Sequence, residues 1–524
     1  MKELVFHRLF VPMLERFGDK VGFHDGEYHG TFAQHGDRVM RLANAMRTEL
    51  GMTSGDRFAV MSCNSHQYLE LFHAGFLGAG VINPLNLRLA GKELQHILAD
   101  SGTSVVFVDS IFADHFARNI ADVRSDLPLQ HVVLIGDADA PHDWRYEDLV
   151  TRGKAVLPPE PDETDPSVLM YTGGTTGMAK GALLEQRAEM LNLYHIGLAL
   201  GFNDRRVYLH QTPMFHAASM GGIIGIPATG GTSVFVPLFE PEAVMTAVET
   251  FGVDWTMMVP TMIAMVMNHP GFRPERLASL RDLVYGASPM PAALIQRIMA
   301  TFPEMQLTQG YGMTECSSVL TFLTPEDHRR GGNLLRSAGR PAMGVEVSVH
   351  DDEGRRLASG HDGEVWARGG NFMREYWRRP EQTEQAFTDD GWYRTGDAGH
   401  LDEEGYLYLV DRVKDMIVSG GENVYSIEVE NAISTHPAVA QVAVIGIPHE
   451  VWGEQVHAIV VLQPGATVTE AEIKDHARLS IANFKVPRSV EFRTHPLPLS
   501  GALKPLKREL RAPFWNGHAT GFDR

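Results

Sequence analysis

Cysteine is scarce in this chain. Only Cys63 and Cys316 occur among its 524 residues, far apart and without a CxxC or Cys/His spacing. Neither a disulfide framework nor a zinc site is therefore indicated. We expect a reducing, cytoplasmic location.

Positive charge is also in short supply. The 46 lysines and arginines are outnumbered by 65 aspartates and glutamates, which gives a formal net charge of -19. An acidic surface repels the phosphate backbone of nucleic acids and the headgroups of anionic lipids. Nucleic acid is therefore not an expected partner.

Long apolar runs are missing as well. The first residues, MKELVFHR, have no apolar core of the kind that a signal peptide carries, and no later run approaches the roughly 20 apolar residues of a membrane span. We expect no transmembrane segment, and peripheral contact with a membrane stays open. A chain of 58.0 kDa is too long for one hydrophobic core, so several lobes are expected.

Short β-branched runs alternate with helical stretches in the first three quarters of the chain. The runs 105–108, 131–135 and 232–236 have the composition of buried strands. After a proline-rich turn, apolar residues recur every four positions over 294–302, which predicts a helix. This alternation predicts an α/β fold.

The last quarter has a different pattern. Thr469 and Glu472 have the spacing of a helix capping box. The strand-like runs 439–447 and 456–462 precede it. These features predict a compact α+β unit.

A glycine-rich segment, TGGTTGMAKG, occupies residues 172–181. Its glycines let backbone N–H groups approach an anion, its threonine hydroxyls can donate hydrogen bonds, and Lys180 adds a positive charge. It is not a Walker A loop, because GxxxxGK[ST] is absent. The composition favours phosphate binding, with a flexible turn of small residues as the alternative.

Further motifs follow in the order YGAS (285–288), QGYGMTE (309–315), YRTGD (393–397), DRVKD (411–415) and SGGEN (419–423). Together with YTGGTTGMAKG (171–181) they resemble the acyl-adenylating superfamily of acyl-CoA synthetases, luciferases and peptide-synthetase adenylation domains. Within this superfamily the motifs most resemble those of the fatty-acid–CoA ligases. The resemblance extends from residue 171 to residue 511. It implies a large N-terminal multilayer α/β domain with a barrel-like subdomain (1–411) and a small mobile α+β C-terminal domain (412–524).

The resemblance also implies an ATP site made from several motifs. The residues assigned to the phosphates are Thr172, Gly173, Gly174, Thr175, Thr176, Gly177 and Lys180. Those assigned to the adenine side are Gly286, Ala287, Gln309, Gly310, Tyr311 and Gly312, with the ring of Tyr311 against the base. Asp397 and Arg412 are expected to hold the ribose hydroxyls, because a carboxylate can accept two hydroxyl hydrogen bonds beside a fixed guanidinium. An interdomain salt bridge is the alternative for this pair.

Three residues are assigned to the reaction itself. Thr314 is expected to reach the α-phosphate, and Glu315 resembles the family's Mg²⁺ ligand, a hard oxygen donor. In the segment 497–511, Lys504 aligns with the catalytic lysine that neutralises charge as pyrophosphate leaves, and Lys507 is the fallback. The family usually has glycine where this chain has Leu503.

A hinge residue and a glycine-rich loop are assigned to the second half of the reaction. Lys414 matches the hinge about which the small domain rotates. Gly420, Gly421 and Glu422 resemble the loop beside the path of the coenzyme A thiol, although an ordinary hairpin turn fits the same residues.

The acid to be activated is indicated only by class. The stretches 213–222 and 254–267 flank the acyl pocket in relatives, and the second is rich in methionine. The flexible methionine side chains could line an adaptable apolar tunnel for the acyl group. The alternative is that they pack in the hydrophobic core. His216 is assigned a place beside the reacting carboxylate, with a structural histidine as the alternative. No isolated Asp or Lys suits an amino acid substrate, so a fatty or other apolar acid is preferred.

The predicted function is that of an ATP-dependent, Mg²⁺-requiring acyl-CoA ligase acting on a small-molecule carboxylic acid and coenzyme A. An enzyme that loads the acyl group onto a carrier protein is one alternative. A catalytically silent adenylate-binding protein is the alternative from another class.

Overall fold

The structure is a computed structural model that describes residues 2–172, 179–288, 290–412, 416–419, 422–449, 452–499 and 505–515. The backbone alone is described at residues 411, 412, 418, 422, 423 and 453. Across these ranges helices and strands alternate along most of the chain. The predicted α/β class is confirmed.

The helices, in chain order, are α1 (His7–Phe17), α2 (Phe32–Thr48), α3 (His66–Ala74), α4 (Gly91–Ser101), α5 (Ala113–Ile120), α6 (Tyr146–Arg152), α7 (Gln186–Leu200), α8 (Ile226–Ala228), α9 (Pro241–Phe251), α10 (Pro260–Asn268), α11 (Ala292–Thr301), α12 (Pro325–Arg330), α13 (Pro380–Ala386), α14 (Ser426–Ser434), α15 (Glu470–Arg478) and α16 (Lys507–Trp515).

The strands of the first half are β1 (Val21–Asp25), β2 (Tyr28–Thr31), β3 (Arg57–Met61), β4 (Val81–Pro84), β5 (Thr103–Asp109), β6 (His131–Ile135), β7 (Trp144–Arg145), β8 (Pro166–Thr172), β9 (Lys180–Glu185), β10 (Val207–His210), β11 (Thr232–Phe235) and β12 (Trp255–Met258). The remaining strands are β13 (Asp282–Gly286), β14 (Gln306–Tyr311), β15 (Thr321–Leu323), β16 (Arg340–Pro341), β17 (Glu346–His350), β18 (Gly363–Arg368), β19 (Glu375–Tyr376), β20 (Tyr393–Leu401), β21 (Leu407–Arg412), β22 (Ile417–Ser419), β23 (Glu422–Val424), β24 (Val439–His449), β25 (Gly453–Leu462) and β26 (Ser489–Arg493).

Two large mixed sheets form the body of the molecule. Among the described residues, one sheet has the strand order β16-β15-β14-β13-β12-β10-β11-β1-β2 and the other β19-β9-β8-β4-β3-β5-β6-β7. The central strands of both sheets run parallel. Crossover helices cover the faces of such strands, and most residues of β3, β5 and β12 are buried. The runs predicted as strands at 105–108, 131–135 and 232–236 lie in or overlap β5, β6 and β11.

Two smaller sheets follow. The antiparallel strands β17, β18, β20 and β21 form a four-stranded sheet. The last sheet has the order β23-β22-β25-β24, with β26 parallel to β25. The capping box on α15 is confirmed, since Thr469 accepts from Glu472 N and the Glu472 side chain accepts from Thr469 N. The helix predicted over 294–302 is α11, which begins directly after Pro291.

The buried apolar side chains divide into separate cores. The two largest clusters draw on residues between Phe6 and Tyr393, whereas the clusters of the last sheet draw on residues between Ile417 and Leu510. No described helix is long and apolar enough to cross a membrane. The domain border near 411–414 stays a prediction, and residues 413–415, including Lys414, lie outside the described residues.

Candidate active site

The predicted phosphate loop joins β8 to β9. These strands are antiparallel neighbours, and Thr172 is paired with Lys180. The Thr172 hydroxyl lies 3.5 Å from the Lys180 carbonyl oxygen. The residues Gly173, Gly174, Thr175, Thr176 and Gly177 lie outside the described part of the chain. The structure therefore places the two ends of the segment side by side, where β8 ends and β9 begins.

Tyr376 joins the end of this hairpin to the QGYGMTE motif. It lies on β19, paired with Ala182 on β9, and its backbone N–H donates to Thr383 Oγ1 at 3.0 Å. The Lys180 Nζ atom lies 5.1 Å from the centre of the Tyr376 ring. The Tyr376 hydroxyl donates to Glu315 Oε1 at 2.8 Å. Lys180 and Glu315, which are remote in sequence, thus meet at one aromatic side chain.

Glu315 is held from two directions. It lies in the short 3₁₀ turn Thr314–Cys316, and its carbonyl oxygen accepts from Met373 N at 2.7 Å. Tyr393 supports the other side, with its hydroxyl 3.0 Å from that of Tyr376. Burial, with a further contribution from the charge of Glu315, raises the pKa of Tyr393 well above its ordinary value. Tyr393 is therefore a neutral partner of this cluster at physiological pH.

Glu315 also has the chemistry of a Mg²⁺ ligand. One of its oxygens is engaged by Tyr376, and the other accepts no hydrogen bond from any described residue. Within the described ranges no group of three or more His, Cys, Asp or Glu could hold a metal ion. Because Mg²⁺ commonly takes one or two carboxylates together with substrate phosphates, a single glutamate fits that mode of binding.

The predicted adenine residues lie at the ends of two neighbouring parallel strands. Gly286 on β13 is paired with Gly310 on β14, and Gln309 is paired with Tyr285. A Cβ on Gly286 would lie 2.2 Å from the Gly310 carbonyl oxygen, so only glycine permits this approach. Ala287 follows with a φ of 64°, which is unusual for a residue other than glycine.

The next part of the motif turns away from the sheet. A Cβ on Gly312 would lie 2.0 Å from the Ser318 carbonyl oxygen, so the chain can fold back here only with glycine. Thr314 begins the 3₁₀ turn that follows. Thr314 and Glu315 are thereby placed directly beyond the carboxyl end of β14, where parallel sheets commonly hold ligands.

The predicted adenine and ribose residues are in direct contact. The Tyr311 hydroxyl donates to Asp397 Oδ2 at 2.6 Å, and both side chains are buried. Thr395 holds the Asp397 backbone, because its Oγ1 accepts from Asp397 N at 3.1 Å and donates to the Val365 carbonyl at 2.6 Å. Arg412 is the backbone partner of Asp397 across β20 and β21. Its side chain lies outside the described part.

His216 lies in the connection after β10. Its Nδ1 accepts from Ala218 N at 3.3 Å and so caps the short turn Ala217–Ser219. This contact gives the histidine a structural role beside any role at the substrate.

Asn64 is a residue that sequence reasoning missed. Its amide nitrogen lies within 3.3 Å of the carbonyl oxygens of His210, Thr212 and Val236. Its Oδ1 accepts from Met214 N at 2.8 Å. Asn64 therefore fastens the His216 segment to the sheet, and no local pattern around residue 64 indicates this.

The methionines of 254–267 are mostly packed into the second core. Met257, Met258, Met262 and Met267 are buried in that core, and Met265 is exposed. Core packing therefore accounts for this composition better than a tunnel lining does.

The C-terminal assignments are described only in part. Lys504, Gly420 and Gly421 lie outside the described residues, and Glu422 is described only as backbone of β23. The fallback, Lys507, is held by Glu430, whose Oε1 lies 2.7 Å from Nζ. Its Nζ also donates to Ser426 Oγ.

Known proteins match the chain over most of its length. The family described as AMP-binding enzyme matches residues 12–377, and the AMP-binding enzyme C-terminal domain matches residues 428–504. A feruloyl-CoA synthase from an Amycolatopsis species is 38% identical over 487 residues, 92% of this chain and 94% of the relative. The fatty acid–[acyl-carrier-protein] ligase ScoC of Streptomyces coeruleorubidus is 34% identical over 93% of this chain and 92% of its own. ATP-bound MatB from Rhodopseudomonas palustris superposes with a TM-score of 0.86 at 28% identity, covering 97% of this chain and 98% of that one.

Proposed function

We propose, because the chain belongs to the AMP-binding enzyme family and is an AMP-forming acid–thiol ligase, that it adenylates a fatty or other apolar carboxylic acid and transfers the acyl group to coenzyme A. ATP and coenzyme A are its co-substrates. The finer parts of this proposal are the acid, the residues and the order of domain movements.

The contact series from Lys180 through Tyr376 to Glu315 is the observation that carries the proposal. It brings the ammonium group of Lys180 and the carboxylate of Glu315 close together, next to the ends of the strands that the glycine-rich segment connects. A triphosphate needs a cation for its own charge, and a carboxylate for the metal that accompanies it. The Tyr311–Asp397 contact adds groups suited to a nucleoside.

The first step is adenylate formation. An oxygen of the substrate carboxylate attacks the α-phosphorus of ATP, the bond to the pyrophosphate oxygen breaks, and acyl-AMP and pyrophosphate form. In our assignment Lys180 and the backbone of 173–177 bind the phosphates, Thr314 orients the α-phosphate, and Glu315 holds Mg²⁺. Mg²⁺, when bound, neutralises charge on the phosphate oxygens.

Lys504 is assigned to the same step. Its positive charge would stabilise the pentavalent transition state when the C-terminal domain closes. Lys507 is a poorer candidate, because Glu430 and Ser426 hold it within that domain.

The second step is thioester formation. The thiol of coenzyme A loses its proton to solvent, its sulfur attacks the acyl carbon, and AMP leaves with the electron pair of the broken bond. We assign the border between the domains to 411–414 and the hinge to Lys414. Rotation there would bring Gly420, Gly421 and Glu422 beside the path of the thiol.

The preference for an apolar acid rests on the charges of segments 213–222 and 254–267, which the family resemblance assigns to the flanks of the acyl pocket. Segment 213–222 contains no Asp, Glu, Lys or Arg. In segment 254–267 the single charged residue, Asp254, is engaged by Arg206 at 3.3 Å and by Val207 N at 2.8 Å. No charge is therefore left there to recognise an α-amino group.

The test is AMP and pyrophosphate release from ATP with a panel of acids, from acetate through long-chain to aromatic and alicyclic ones, each with and without coenzyme A. We expect AMP release that needs coenzyme A and one class of apolar acid. Pyrophosphate release to which coenzyme A makes no difference would support carrier-protein loading instead, the activity named for the relative ScoC. Adding a carrier protein with its phosphopantetheine arm would then restore turnover.

A further inference from the structure

Asp100, in the last turn of α4, joins two segments of the chain that support the candidate active site. Its Oδ2 accepts from the Tyr171 hydroxyl at 2.7 Å, and its Oδ1 accepts from Arg379 Nη2 at 2.7 Å. Its carbonyl oxygen accepts from the indole N–H of Trp377 at 3.0 Å. Asp100 therefore bonds to β8 on one side and to the residues that follow β19 on the other.

Tyr171 is the residue before Thr172, where the predicted phosphate loop begins. It is paired with Gly181 on β9, and a Cβ on Gly181 would lie 3.1 Å from two carbons of the Tyr171 ring. The ring thus lies against the backbone of the residue that follows Lys180. Burial and the hydrogen bond to Asp100 raise the pKa of Tyr171, so its hydroxyl stays protonated and donates to the carboxylate.

Arg379 and Trp377 belong to the segment that carries Tyr376. The backbone N–H of Arg379 donates to the Tyr376 carbonyl oxygen at 3.0 Å. Because successive residues of an extended segment point to opposite faces, Tyr376 reaches Glu315 while Trp377 reaches Asp100. The backbone that presents Tyr376 is therefore held from the face opposite to Glu315.

The Asp100 carboxylate is largely buried, and both of its oxygens are used. Its side chain is 10% exposed, and that of Arg379 is 32% exposed. Asparagine has one acceptor oxygen where aspartate has two. An asparagine at this position can therefore keep the bond from Tyr171 or the bond from Arg379, and it loses the other.

We propose that Asp100 is a positioning residue for adenylate formation, because it couples the start of the phosphate loop to Tyr376 and through Tyr376 to Glu315. This rests on the proposed function, in which Glu315 holds Mg²⁺. The metal neutralises the phosphate charge only when it lies at the right place beside the phosphates. The thioester step involves no pyrophosphate, so it does not need this alignment.

The experiment measures ATP–pyrophosphate exchange across a Mg²⁺ titration for Asp100→Asn. We expect the maximal rate to fall about tenfold, since one charge-assisted hydrogen bond is lost. The Mg²⁺ concentration for half-maximal rate should rise, and thioester formation from supplied acyl-AMP should keep its rate. Asp100→Glu keeps the charge and both acceptor oxygens, so it should recover part of the exchange rate.

Glu70 provides the matched control, because it has the same kind of partners. Its Oε2 accepts from the Tyr146 hydroxyl at 2.6 Å, and its Oε1 accepts from Arg38 Nε at 2.7 Å. These residues lie on α3, α6 and α2, which carry none of the assigned site residues. Glu70→Gln should lower the thermal midpoint, since Glu70 is fully buried, and should leave the Mg²⁺ dependence of the folded enzyme unchanged. Equal shifts in Glu70→Gln and Asp100→Asn would mean that Asp100 acts only on stability.

A double-mutant cycle tests whether Asp100 acts through Tyr376. If it does, Asp100→Asn combined with Tyr376→Phe should lose less exchange rate than the product of the two single losses. Losses that multiply would overturn the positioning role, and so would an unchanged Mg²⁺ dependence in Asp100→Asn. An unaltered enzyme that shows no ATP–pyrophosphate exchange with any acid would overturn the proposed function itself.

Discussion

Tyr376 is the side chain through which Lys180 and Glu315 meet. We expect Tyr376→Phe to lower the rate of adenylate formation about 10- to 100-fold, since a hydrogen bond to a charged group is lost. The Mg²⁺ concentration for half-maximal rate should rise, because Glu315 Oε1 is no longer held at 2.8 Å. ATP–pyrophosphate exchange across a Mg²⁺ titration measures both effects.

Tyr393→Phe is the control for this residue. It removes the hydroxyl 3.0 Å from that of Tyr376 and leaves the Tyr376–Glu315 bond in place. An equal loss in the two variants would mean that the pair acts only by packing, and the positioning role of Tyr376 would be wrong.

Lys504 is another single residue for which the proposed mechanism makes a specific prediction. We expect Lys504→Ala to abolish most adenylate formation and to spare thioester formation from supplied acyl-AMP, because the charge is needed only while pyrophosphate leaves. The two half-reactions are measured separately. Lys507→Ala should lose stability rather than the first half-reaction, since Lys507 pairs with Glu430. Equal damage to both half-reactions by Lys504→Ala would contradict the assignment.

At the scale of elements, the close approach of β13 and β14 shapes the adenine side. Gly286→Ala would put a Cβ 2.2 Å from the Gly310 carbonyl and force the strand ends apart. We expect it to cost about 1–3 kcal/mol of stability and to raise the KM for ATP. Gly310→Ala meets its nearest neighbour, Val319 Cγ2, at 3.8 Å, so its thermal midpoint should stay near that of the unaltered protein. The reverse order of the two midpoints would contradict this packing.

Helix α7 carries a buried acid that makes stability depend on pH. Glu189 is buried, its Oε1 accepts no hydrogen bond from a described residue, and burial raises its pKa to about 8. Between the usual carboxyl pKa and this value, the folded protein keeps a proton that the unfolded chain releases. Stability therefore falls as pH rises through this range, by up to about 1.4 kcal/mol per pH unit.

Glu189→Gln removes that proton exchange. We expect the variant to be more stable than the unaltered protein, with a gain that grows from about pH 5 to pH 8. Thermal midpoints across this range measure it. Glu384→Gln, on the exposed face of α13, should show no such trend. A constant difference at all pH values would show that Glu189 does not titrate with folding.

At the scale of the whole molecule, the division of the cores predicts two folding units. Among the described residues, no core cluster contains buried residues from both sides of the segment 412–416. We expect a chain of residues 1–412 to unfold cooperatively and to gain stability from ATP. It should form no adenylate, because Lys504 is missing. Thermal unfolding with and without ATP tests this, and a fragment without a cooperative transition would contradict the separate cores.

Much of the fold was readable from the sequence because the patterns concerned are local. The β-branched runs of β5, β6 and β11 and the Thr469–Glu472 capping box involve residues a few positions apart. The family was readable from the order of its motifs. The class of enzyme followed from it, and the roles of the individual site residues stay predictions.

The sequence by itself determined the α/β class and the kind of enzyme, because repeating apolar patterns and the order of motifs can be read along the linear chain. Only the tertiary structure decided how Tyr376, Asn64 and Asp100 are used. Tyr376 reaches Glu315 because β19 pairs with β9, Asn64 bonds to carbonyls more than a hundred residues away, and Asp100 meets Tyr171 and Arg379. Such contacts arise from the pairing of distant strands, and no pattern around any one of these residues encodes its partner.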